Sequence, residues 1–333
     1  MKIYGKIAGF VLVMGLWYAG PVFAAESLRG LQDAVGNFSD QLAKSLPFNA
    51  SLGLNWSDAY IGKLIGELPP HFGVGISGGL TTMDFDAFDD LVGYFGINMP
   101  FSLKHILIPA YAVEARVGGF FLPFDVGLKF GWLPQVGFGS DFTINYTLLG
   151  ADFRYAVLDR KFLPKVSVGV GVNYLGGGFG TTINGMIRDF TFDSHTLSLT
   201  DPELGLSWQS TSLDFTAQVS KSIFIITPYL GLGLSHAWSH AGYTVNSALS
   251  YNDQPVTGDV LAALNRDLKN AGITGIDDLD QNGFSSMGVV TAWGLRVFGG
   301  ISFNLAVLRL DITGMFNFFD ANFGGTLGMR FQL

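Results

Sequence analysis

From residue 71 to the end, large apolar residues alternate with glycine, small polar or charged residues at a period of two, the signature of β-strands. VSVGVGVNY (166–174) sets Val166, Val168, Val170, Val172 and Tyr174 against Ser167, Gly169, Gly171 and Asn173. FDVGLKFGW (124–132) sets Phe124, Val126, Leu128, Phe130 and Trp132 against Asp125, Gly127, Lys129 and Gly131. HFGVGIS (71–77), YAVEARV (111–117), LDFTAQV (213–219), PYLGLGLSHAW (228–238), VVTAWGLRV (289–297), VLRLDIT (307–313) and FGGTLGMRFQL (323–333) repeat the scheme. In FTINYTLLGADFRYAV (142–157) the phase slips by one: Ile144, Tyr146 and Leu148 lead, then Leu149, Ala151, Phe153, Tyr155 and Val157. The slip predicts a β-bulge near 148–150, the alternative being a short run apolar on both faces. These segments predict ten strands, or twelve to fourteen if 46–60 or part of 178–206 join them.

The links GGFFLP (118–123), LDRKFLP (158–164), SKSIF (220–224) and FGGISFN (298–304) read as short turns, whereas 84–106, 134–141, 178–206 and 239–284 read as long loops. Short turns at one rim and long loops at the other are the outer-membrane arrangement, periplasmic turns below and extracellular loops above. The expected fold is all-β, a transmembrane antiparallel β-barrel. Its large residues face lipid, its small and charged ones the lumen, and every main-chain polar group is bonded within the closed sheet. Trp132, Tyr174, Trp238 and Trp293, at or near segment ends, suit the interfaces.

Composition agrees with this. The 333-residue chain is 48% hydrophobic and 14% charged, with 45 glycines and 30 phenylalanines, too apolar for an ordinary water-facing surface. After the N-terminus, the best apolar runs are broken by Glu114 and Arg116, by Thr227 and Pro228, or by Arg296, well short of the roughly 20 residues a spanning helix needs.

At the N-terminus, Lys2 and Lys6 precede an apolar run at 7–18 and a processing site after Ala24, which predicts a signal peptide over 1–24 rather than a membrane anchor. Without its two lysines the chain keeps 17 basic against 27 acidic residues, a balance that excludes nucleic acid as a partner. The absence of cysteine removes thiol catalysis and Cys-ligated metals and suits an exported protein. Within 25–70, Leu28, Leu31, Val35, Phe38 and Leu42 fall at helical spacing and predict an amphipathic helix over 25–45, too polar to span. Residues 46–70 read as strand or extended plug, and the whole segment is a candidate hatch, with the barrel over 71–333.

NWSDAYIG (55–62), PPHFGVGIS (69–77), KFLPKVSVGVGVNYLGGGF (161–179), FDSHTLSL (192–199) and ITPYLGLGLSHAW (226–238) resemble segments of a poorly characterised family of outer-membrane β-barrels of Bacteroidetes and spirochaetes. The resemblance spans most of the chain after residue 24 and implies fold and location. The chain ends in Leu333 where many barrels end in Phe; Phe331 stands two positions earlier.

On these phases the lumen carries Arg116, Lys129, Arg154, Arg296, Arg309 and Arg330 against Glu114, Asp125, Asp152, Asp214 and Asp311. In a narrow ten-stranded barrel such charges must pair, giving either a salt-bridged plug or a narrow polar channel. Gly127, Gly131, Gly169, Gly171, Gly231, Gly233, Gly294 and Gly328 also point inward, leaving room for water, solute or hatch, or easing strand curvature. No GxSxG or HExxH motif accompanies His71, His105, His195, His236 and His240, and no enzyme is expected. Asp278, Asp280, Asn282 and Gly283 match the start of a calcium loop whose twelfth position is Val289 rather than Glu. This predicts at most a weak extracellular calcium site, the alternative being an Asp/Asn/Gly turn; no other cofactor is expected.

Two functions fit: a passive channel or transporter for small, including amphipathic, solutes, or a non-conducting barrel whose loops bind an external partner. The expected partners are outer-membrane lipid and, during biogenesis, the barrel assembly machinery and periplasmic chaperones.

Overall fold

A computed structural model describes residues 26–65, 69–84, 86, 105–138, 142–160, 162–182, 187–272 and 282–333. The predicted signal peptide, most of the loop 84–106, and Asp278 and Asp280 lie outside them. Ten antiparallel strands close into a ring: β2 (Phe72–Asp84), β3 (His105–Gly118), β4 (Phe124–Phe138), β5 (Phe142–Leu158), β6 (Lys165–Thr182), β8 (His195–Ser220), β9 (Ile226–Tyr251), β11 (Gly283–Leu305), β12 (Leu308–Asn317) and β13 (Phe323–Gln332). The seam is β13 on β2, with Gly324↔Thr81 through Gln332↔Gly73 in register, and the Leu333 N–H adds a bond to the Phe72 carbonyl. Three short strands flank the ring: β1 (Glu26–Ser27), β7 (Ile187–Phe192) and β10 (Gln254–Pro255).

Alternation of burial along the strands follows from two environments. Val168, Val170 and Val172 are exposed on the outer face while Ser167 and Asn173 are buried inside. Leu230, Leu232 and Leu234 are exposed outside in the same way.

Three departures from the sequence expectation have physical causes. β5 keeps unbroken register against both neighbours through Leu148–Gly150, so there is no bulge there; shifts fall instead at Leu133/Val136 and Ala156/Leu158. Tyr146 and Leu148 point inward and are buried in the apolar cluster that also holds Phe48 and Leu52 of the N-terminal segment, so that stretch has apolar surroundings on both faces. FGGISFN is strand, paired with β12 from Phe298↔Met315 to Asn304↔Arg309; the hairpin turns at Ala306 and Val307, where Ala306 takes φ +57°. Finally, 178–206 is largely strand, 134–138 belongs to β4, and 239–284 holds the end of β9, β10, a helix and the start of β11. β8 and β9 run 26 residues each, more than twice the roughly 9–11 that cross a bilayer, and carry a cap above the far rim. There β7 and α2 (Gly258–Asn270) pack around Phe190, Leu197, Leu199, Leu249 and Leu264.

Helix α1 (Leu28–Ala50) covers most of the predicted 25–45 helix, starting three residues later, after the short strand Glu26–Ser27, and continuing five residues beyond it. It packs on β2, β6, β8, β9 and β11 of the ring and on β1 and β7, and Ala34, Phe38, Leu42, Ala43 and Leu46 are buried. Residues 51–61 are extended and almost wholly buried, inside the ring rather than in its wall.

Candidate functional site

The candidate site is the lumen, and the N-terminal segment threads it end to end. At the far rim Glu26 and Ser27 pair in parallel with Phe190 and Thr191 of β7. At the short-turn rim the Leu64 N–H donates to the Gly119 carbonyl at 2.9 Å. Between them the Ala59 N–H donates to Ser220 Oγ at 2.9 Å and the Ile61 N–H to Asp125 Oδ2 at 3.2 Å.

The wall holds this plug mainly by its main-chain carbonyls. Lys129 Nζ donates to the carbonyls of Ala50 (2.6 Å) and Leu52 (2.7 Å). Arg116 reaches that of Leu54 (3.3 Å), Arg154 that of Asp58 (2.8 Å) and Lys165 that of Tyr60 (3.2 Å). Gln218 Nε2 donates to the carbonyls of Trp56 and Ser57 at 2.7 and 3.2 Å.

All eleven charges expected in the lumen lie on the inner face and form separate groups. Asp125 accepts from both Arg116 and Arg154, and Arg116 also holds Asp152 at 2.7 Å. Asp214 pairs with Arg296 at 3.2 Å and accepts from Asn173. Arg330 pairs with Asp311 at 2.8 Å and with Asp58 at 3.0 Å, and Arg309 meets the same Asp58 at 3.1 Å. Glu114 accepts from Ser77 and from the Trp56 indole N–H, and the Trp56 ring lies 4.6 Å from the Arg330 guanidinium.

Asp58, Trp56, Lys165 and Gln218 are the residues sequence reasoning missed. For Asp58 the signal was arithmetic: the wall set has six cations and five carboxylates, and Asp58 is the sixth carboxylate. Some of the inward glycines, read as open space or as easing strand curvature, are filled from the next rung. A Cβ on Gly127 would strike Asp152 and Arg116, and one on Gly233 would come within 2.8 Å of the Arg296 guanidinium carbon. Glycine here makes room for a neighbour's arginine.

The lumen is also two-toned. Its lower part carries Glu114, Arg116, Asp125, Lys129, Asp152 and Arg154. Toward the far rim the same strands turn Ile108, Ala110, Ala112, Leu133, Tyr146, Leu148 and Leu175 inward against Phe48 and Leu52 of the plug.

Of the other candidates, Asn282 is exposed and its carbonyl accepts the Ser247 N–H at 2.6 Å. No cluster of three or more metal-ligating side chains occurs among the described residues. His236 is on the outer face, 4.7 Å from the Trp238 ring and 4.3 Å from that of Trp293. Asp193 is in the β7–β8 turn at φ +50°.

No family model matches the chain and no curated protein matches it. Among solved structures it is similar to the translocator domain of the autotransporter NalP from Neisseria meningitidis (9% identity, 91% of this chain and 98% of that one, TM-score 0.35). It is also similar to the transport unit of the autotransporter AIDA-I from Escherichia coli (8%, 89% and 99%, TM-score 0.21) and to the Ralstonia pickettii toluene transporter TbuX (9%, 79% and 89%, TM-score 0.25).

Proposed function

We propose that the chain is an outer-membrane channel or transporter for small solutes, held shut by its own N-terminal segment. The observation that carries this is the way the plug is held. Lys129, Arg116, Arg154, Gln218 and Lys165 grip carbonyl oxygens, and water can replace such partners when the segment withdraws. What remains is a charged, hydrated passage. A lumen meant to stay closed has a more stable alternative, since apolar side chains of equal volume match or outperform buried ion pairs.

Deleting 28–61 tests the reading. The truncated protein, refolded in detergent and still heat-modifiable on gels, should conduct at least tenfold more than the full chain in planar bilayers and admit arabinose into proteoliposomes. A folded, truncated barrel with unchanged conductance overturns it.

The length of β8 and β9 beyond the membrane favours a second reading, in which the cap binds an external partner and the barrel only anchors it. Unchanged conductance after the deletion would support that one.

A further inference from the structure

The hydrogen-bonded wall has an interruption. β3 and β4 pair only over Val113–Gly118 and Asp125–Phe130, six residues on each, although they are 14 and 15 residues long. Every other neighbouring pair in the ring keeps at least nine residues in register. Beyond Val113 and Phe130 the facing edges, His105–Ala112 of β3 and Gly131–Phe138 of β4, have no ladder between them, although the Tyr111 hydroxyl donates across the gap to the Trp132 carbonyl. Pro109 and Pro134 come opposite one another if the register is continued, and neither has an N–H with which to complete it. At Pro134 and Gln135, β4 also loses register with β5.

An unpaired edge at membrane depth is expensive, yet the outer face here is apolar: Leu107, Tyr111, Val113 and Trp132 are exposed. On the inner side the slit opens on the apolar half of the lumen, and Asn49–Gly53 of the plug stop it. Asn49 Nδ2 donates to the Ile108 carbonyl at 3.4 Å, and a Cβ on Gly53 would be 3.6 Å from that of Ala112. Tyr146, inside, and Tyr111, outside, bring their rings within 5.8 Å of each other.

We infer that this slit is a lateral portal through which a small hydrocarbon-bearing amphiphile passes between the lumen and the outer leaflet. Its apolar part moves along Ala110, Ala112, Tyr146 and Leu148 while its polar end stays toward Glu114, Lys129 and Arg116. The portal opens when Asn49–Gly53 withdraws, so it rests on the plugged-channel reading and adds a route and a substrate class to it.

The chain has no cysteine, so Pro109→Cys with Pro134→Cys can staple the slit as a disulfide or, if the sulfurs do not meet, through a short bis-maleimide. The readout is N-phenyl-1-naphthylamine entry into intact cells whose lipopolysaccharide excludes it. Expression of the full chain should raise the initial rate several-fold, stapling should return it to the level of cells lacking the protein, and reduction of the disulfide should restore it. A control pair within the ladder, Val117→Cys with Val126→Cys, should leave the rate unchanged. Probe entry that expression does not raise, or that stapling does not slow, overturns the portal. Arabinose flux through the 28–61 deletion separates the two proposals. If it rises while the staple has no effect, only the portal fails; if it does not rise, the channel reading fails.

Discussion

Asp58 Oδ2 lies 3.0 Å from Arg330 Nη2, a bond that fastens the plug to the last strand of the wall across 272 positions of sequence. The same carboxylate takes Arg309 at 3.1 Å and Gln332 at 3.2 Å. Asp58→Asn leaves Arg309 without its carboxylate, and breaking a buried pair from one side costs about 3–5 kcal/mol. The ring itself does not depend on Asp58. The expected outcome is a folded barrel in which 28–61 is cut by added protease and conductance rises, measured on the same refolded sample.

The wall should tolerate charge on one face only. Val170→Arg and Leu232→Arg place a guanidinium in lipid, at a cost of about 2–4 kcal/mol near mid-membrane. Gly171 is in register with Asp152 on one side and Asp214 on the other, so Gly171→Arg meets two carboxylates. Heat-modifiable migration should be lost or reduced in the first two variants and kept in the third.

Leu148 and Leu149 are adjacent, yet the first is fully buried and the second 43% exposed. Leu148→Ala should cost about 2–5 kcal/mol as a cavity against the plug, and Leu149→Ala, facing lipid, much less. Denaturant midpoints of the two variants should differ accordingly; equal midpoints would place both on the same kind of surface.

Above the membrane, Tyr251 donates to Asp267 at 2.8 Å and fastens α2 to β9. Burial, followed by the hydrogen bond to Asp267, pushes the Tyr251 hydroxyl up to about 12, and that same bond holds the Asp267 carboxyl below its ordinary value. A depressed carboxyl stabilises the fold above its unfolded value and ceases to as pH falls through the folded one. A raised phenol stabilises it below its unfolded value and ceases to as pH rises through the folded one. The docking of α2 should therefore be firm between about pH 4 and pH 10 and loosen outside that window. Amide exchange in Gly258–Asn270 checks this, and Tyr251→Phe should speed exchange in mid-range while removing most of the pH dependence.

The strands were legible in the sequence because their two faces see unlike surroundings, lipid outside and charge or glycine inside, as at Val166–Tyr174. Legibility fails where the contrast fails. Tyr146 and Leu148 belong to the buried apolar cluster that includes Phe48 and Leu52, so the strand is apolar on both sides and its pattern slips with no bulge behind it. Gly299 and Gly300 suggested a turn, but they are in register with Leu230 and Tyr229 in the wall, and the actual turn is made by Ala306 and Val307, which carry no turn signal. The ion pairs were legible by type and not by partner. Asp58, in a stretch with no periodicity, is brought to Arg309 and Arg330 by threading, which local spacing does not encode. Pro109 and Pro134 were visible breaks whose meaning required knowing that β3 and β4 are neighbours.

Threading also constrains the route by which the molecule can be made. A segment held at both rims and joined to β2 at the short-turn rim can enter a closed ring only from that rim, with Leu28–Ala50 leading and Asp58 going no farther than Arg309 and Arg330. During assembly the simpler course is to fold against the sheet while it is still an open ribbon, with β2 and β13 as its two free edges. Zipping Gly324–Gln332 onto Gly73–Thr81 then encloses a segment already at its partners, and every later withdrawal or return has to run through the short-turn rim.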